Sequence, residues 1–64
     1  MMFTLMAVIM FKGVIYNIVL DTQMGEEYCM HQMEVGIGEG AKGFISPGVE
    51  VDITNAPLIC LKEE

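Results

Sequence analysis

Apolar residues crowd the first third of this chain and thin out after it. Sixteen of the first twenty residues are apolar, the exceptions being Thr4, Lys12, Gly13 and Asn17. The run is rich in β-branched and aromatic side chains (Val8, Ile9, Val14, Ile15, Tyr16, Ile18, Val19), which suit a pleated surface. A β-hairpin over residues 3–22 is therefore expected, its arms meeting at Lys12-Gly13, where glycine is free to take positive φ. In the first arm, Phe3, Leu5, Ala7, Ile9 and Phe11 share one face, while Thr4, Met6, Val8 and Met10 share the other. Both faces are apolar, so this strand is expected to be covered on both sides. In the second arm Val14, Tyr16, Ile18 and Leu20 form one face, and Ile15, Asn17, Val19 and Asp21 a mixed one.

A helix is the competing reading of the same run, since Met2, Met6 and Met10 lie four apart and would share a helix face. Residues 1–20 also have about the length of a membrane span. Lys12 near the centre opposes that, at about 2.5–3.5 kcal/mol on insertion scales. Gly13 and the β-branched run after it favour strands. A signal peptide fits no better, because no basic segment opens the chain and no small-x-small site precedes Asp21.

Beyond the hairpin the signals weaken. Gln23-Met24-Gly25 reads as a turn, and residues 27–35 as a third strand whose faces are both mixed. Residues 36–43 hold four glycines and read as a mobile loop or bulged corner. Residues 44–46 resume as a short strand before Pro47-Gly48, a strong turn signal. The cleanest alternation lies at residues 49–54, with Val49, Val51 and Ile53 opposite Glu50, Asp52 and Thr54. Asn55-Ala56-Pro57 turns the chain into a last strand over residues 58–62.

Composition narrows the function. The 64 residues form one small domain, residues 1–64, and 53% of them are apolar, above the roughly 45–50% of ordinary domains. A chain this short hides only about 60% of its unfolded surface, so another subunit is expected to cover the excess. Nine acids against three lysines give a net charge of −6, and there is no arginine. Phosphate backbones are held by clustered Lys and Arg, so nucleic-acid binding is excluded. Cys29 and Cys60 are expected as two buried free thiols in a reducing compartment, with one disulfide as the alternative.

Candidate chemistry is sparse. Residues 36–41 match G-x-G-x-x-A, but Gly43 and Pro47 leave no room for the helix that would receive a pyrophosphate. Cys29, His31 and Met33 would line one face of the third strand at steps of about 6.6 Å. They are soft ligands suited to copper or zinc, yet one strand cannot close around an ion without Cys60 or a second subunit. One His and one Ser, with no spacing that pairs nucleophile and base, give hydrolytic catalysis no footing. Glu26-Glu27 and Glu63-Glu64 read as solvated ends.

The segment Phe44-Ile45-Ser46-Pro47-Gly48-Val49-Glu50-Val51 resembles the opening residues of contractile-tail sheath subunits of phages. It covers eight residues, and in those proteins it begins a much longer chain. The resemblance implies a setting, a viral particle, and carries over no residue's role.

The expectation is thus an all-β protein, a small antiparallel barrel or sandwich of five to six strands built on the N-terminal hairpin. It is read as a non-enzymatic, homo-oligomeric structural protein, concretely an accessory or decoration subunit of a phage-like particle. Met6, Val8, Met10 and Phe11 are the expected oligomer interface, and no cofactor is expected. One alternative is an acidic inhibitor or adaptor docking on a basic partner through Glu50 and Asp52. Another is a small-ligand or metal-binding β-barrel using Cys29, His31 and the glycine loop. A cytoplasmic or virion-associated place is favoured over secretion, and a membrane is not expected.

Overall fold

The N-terminal hairpin forms where the β-branched run places it. In a computed structural model covering residues 1–64, β1 (Phe3–Phe11) and β2 (Val14–Met24) pair antiparallel across a two-residue turn. Lys12 (φ 52°) and Gly13 (φ 81°) are both left-handed, as a type I′ turn requires, and Lys12 Nζ lies 5.4 Å from the centre of the Phe11 ring. The chain continues through α1 (Glu26–Val35), β3 (Lys42–Ser46), β4 (Val49–Asp52) and β5 (Leu58–Lys62). The protein is mostly β, with a three-stranded sheet ordered β2-β1-β5 and a two-stranded sheet β3-β4, both antiparallel.

One face of the larger sheet is covered in two halves. Phe3, Leu5 and Met24 pack with Cys29 of α1, and Met33, Leu58 and Cys60 close in around them. Ala7 and Ile18 pack with Val51 and Ile53 beneath the β3-β4 hairpin, with Ile9, Phe11 and Ile45 at the margin. Gly43 permits this second approach: a Cβ there would stand 3.1 Å from Ile18 Cδ1. The glycine-rich link reaches positive φ at Gly36 and Gly40, as its composition requires.

The third expected strand is a helix. Glu, Met and Gln are good helix formers, and Glu26 and Glu27 sit in the first turn, where the helix dipole favours negative charge. Gly25 begins the helix and Gly36, at φ 80°, ends it by donating its N–H to Gln32 O. The faces that are mixed at period two resolve at period 3.6, which puts Cys29 and Met33 on one side, facing the sheet.

The cysteines are corrected as well. Cys29 of α1 and Cys60 of β5 form a disulfide, not two free thiols. Cys29 is the only buried residue of α1, so this bond is the main tie between the helix and the sheet.

The carboxyl terminus is tied down rather than solvated at Glu63. Its Oε2 accepts the Thr4 hydroxyl at 2.8 Å and the Gln23 N–H at 2.6 Å, and its own N–H donates to Met2 O at 2.8 Å. Gln23 has φ 56°, so this carboxylate helps hold a backbone conformation that glutamine rarely adopts. Glu63→Ala is expected to cost about 1–3 kcal/mol of stability, the range for losing bonds to a charged group, read by urea unfolding.

Candidate functional site

The other face of the β2-β1-β5 sheet is uncovered. Pairing fixes which side chains it carries: Met6 opposite Val19 and Ile59, Val8 opposite Asn17, Met10 opposite Ile15, and Thr4 opposite Leu61. Partners in an antiparallel ladder share a face, so these residues form one patch. Met10 is 69% exposed, Ile15 63%, Val19 55% and Leu61 48%, while Met6, Val8 and Ile59 are half-buried by their neighbours. None of them belongs to either core cluster.

Apart from the Glu63 carboxylate bonded to the Thr4 hydroxyl at one end, no ionisable side chain lies on this patch, although the chain carries nine acids. The acids lie on α1, on the loop at Glu39, on β4, at Asp21 and at the C-terminus. Folding has therefore separated an apolar sheet face, charged only at its Glu63 end, from an acidic remainder. The molecule measures 34 × 25 × 19 Å and exposes 4509 Å². A compact monomer of its 7.1 kDa would expose about 4,100 Å².

Of the residues expected at an interface, Met6, Val8 and Met10 stand together here. Phe11 does not join them; it lies on the inner face, packed at the margin of the Ala7–Ile18 cluster. Ile15, Val19, Ile59 and Leu61 complete the patch. They were hidden from the sequence because their place depends on ladder register. Register also changes the second arm. Leu5 pairs with Asp21 and Met6 with Val19, so Leu20 is inserted as a bulge and strict alternation ends there.

The acidic candidates lie on the far side of the molecule. Glu50 and Asp52 are exposed on β4, beside Phe44 and Lys42 of β3. Val51 and Ile53 point into the core as expected, but Val49 is 36% exposed. Asp52 Oδ1 accepts the Thr54 N–H at 2.8 Å, which turns the chain out of β4, and the Thr54 hydroxyl accepts the Gly40 N–H at 3.1 Å. Hydrogen bonds from the Thr54 side chain and backbone, with Lys42 nearby, hold the Asp52 carboxyl below its usual range. A depressed carboxylate stabilises the fold above the ordinary carboxylate range, and that contribution fades as pH falls through the folded value. Asp52→Asn should thus melt below wild type at pH 7, with the gap narrowing as pH falls below the ordinary carboxylate range, as thermal scans would record.

The helix disperses the soft-ligand set. Cys29 is spent in the disulfide, Met33 packs inward and His31 is exposed. No helix of the protein is long and apolar enough to cross a membrane. No family model, curated protein or solved structure matches the chain.

Proposed function

We propose that this protein is a non-enzymatic, homo-oligomeric structural subunit, and that the outer face of its β2-β1-β5 sheet is the contact between copies. One observation carries the reading: the uncovered apolar face at Met6, Val8, Met10, Ile15, Val19, Ile59 and Leu61 contains no charge. Two copies at −6 each repel one another along most of their surfaces, and this face is where they meet without opposing acids. Apolar area of this kind is what subunit interfaces bury. Packing two such sheets face to face would complete, between subunits, the small β-sandwich that the sequence pattern implies for one.

Within that reading the protein is an accessory or decoration subunit of a phage-like particle. The resemblance of residues 44–51 to sheath subunits points that way. A disulfide also suits it, because such bonds persist on secreted proteins and virion surfaces and are rare in reducing cytosol. The bond moves the favoured place from the cytoplasm to an oxidising exterior.

Sedimentation equilibrium over a hundredfold concentration range tests the reading. Association that strengthens with concentration, and strengthens further as added salt screens the repulsion between the acidic surfaces, is the expected result. A monodisperse monomer throughout would overturn it.

A further inference from the structure

We propose that the open edge of β2 is a second self-association surface, at which β2 of another copy adds antiparallel about Asn17. The proposal rests on the reading above only in taking a second copy as the occupant. β2 is the free edge of its sheet, with β1 as its one strand partner. It runs eleven residues without proline, and Asp21 is its only charged group. Natural edges are usually blunted by lysine, proline or short length, and a long apolar edge is a template for another strand. The opposite edge, β5, is five residues long, ends on Lys62 and is tied to α1 by the disulfide.

Backbone direction identifies the available groups. Val8 donates its N–H to Pro57 O at 2.9 Å, away from β2. The Val8–Asn17 pair is therefore not hydrogen-bonded, and the N–H and C=O of Asn17 point to the open edge. By alternation the N–H groups of Ile15 and Val19 point there too.

The edge is complementary to itself. Antiparallel addition about Asn17 sets Ile15 against Val19 of the partner subunit. Asn17 then meets Asn17 of the partner subunit, where each side-chain amide can both donate and accept. Asp21 then pairs with Gly13 of the partner subunit, one position from Lys12 of the partner subunit; Lys12 and Asp21 are the only charged residues of the hairpin, and they are opposite in sign. The outer faces of the two sheets would then lie side by side. An edge contact combined with a face contact carries assembly past a dimer, to a closed tetramer or an open array.

Sedimentation of wild type, Asn17→Pro and Val8→Asp tests this, with circular dichroism to confirm folding. Proline at position 17 removes an edge N–H and no bond to β1. The expected result is a wild type larger than a dimer, Asn17→Pro halted at a dimer, and Val8→Asp no larger than an edge-paired dimer. Amide exchange of Ile15, Asn17 and Val19 in assembled wild type provides a readout independent of folding in the variant, and at least tenfold slowing on assembly is expected. Asn17→Pro assembling as wild type does, or no slowing at those amides, overturns the edge contact and leaves the face reading intact. Assembly lost with Asn17→Pro but untouched by Val8→Asp supports the edge and overturns the face. A monomeric wild type overturns both.

Discussion

Val8→Asp is expected to remove the sheet-face contact while leaving the fold in place. Val8 sits at the middle of the outer face, between Met6 and Met10 on β1, and touches neither core cluster. In a single copy the new carboxylate would stay largely hydrated, and the cost to folding should be about 1 kcal/mol, the span of strand propensities. Between two apolar faces it would be buried without a counter-charge. Leaving an uncompensated charge buried costs about 3–5 kcal/mol. Each 1.4 kcal/mol is tenfold in affinity, so association through this face should weaken by about 10²–10⁴-fold. Sedimentation velocity with far-UV circular dichroism reads both quantities. Unchanged assembly with unchanged folding would place the contact elsewhere.

The second large effect concerns the disulfide. Cys29 and Cys60 are 31 residues apart in sequence, and closing a loop of that length removes about 3.7 kcal/mol of denatured-state entropy on the chain-entropy model. Total stability for 64 residues is on the order of 3–10 kcal/mol at ordinary values per residue. Replacing both cysteines with serine should therefore take away a third or more of the stability. The loss should be felt first at α1. That helix has ten residues, too few to persist alone, and its only buried side chain is Cys29. Amide exchange should show α1 opening well before β1 and β2. Reduction of wild type with dithiothreitol should reproduce the double substitution, and equal melting temperatures with and without reductant would contradict the assignment.

How much of this was legible in the sequence depends on how local each signal is. The bounds of β1 and β5, and the turn at Lys12-Gly13, could be read because apolar β-branched runs and turn residues act over a few positions. Residues 27–35 read as a strand yet lie in a helix, because the mixed polarity of that stretch is weak at either period. The deciding cues were glycine at both ends and the run of Glu, Met and Gln between them. The disulfide stands in the sequence only as the alternative to free thiols, because joining Cys29 to Cys60 depends on where a helix lands against a strand, which no spacing announces. The outer face was half legible. Alternation along β1 identified Met6, Val8 and Met10, but gathering Ile15, Val19, Ile59 and Leu61 beside them requires the register of both ladders.

The account stands or falls on whether that outer face is covered in the assembled protein. Methionine oxidation by dilute peroxide, read by mass spectrometry, reports this at single residues, because the rate follows exposure of the thioether. In one copy Met10 is more exposed than Met30 of α1, at 69% against 39%. At low concentration Met10 should accordingly oxidise faster than Met30. At high concentration the order should reverse, with Met10 protected and Met30 unchanged, and Val8→Asp should restore the dilute pattern. Met10 oxidising ahead of Met30 at every concentration would contradict the face as a subunit contact.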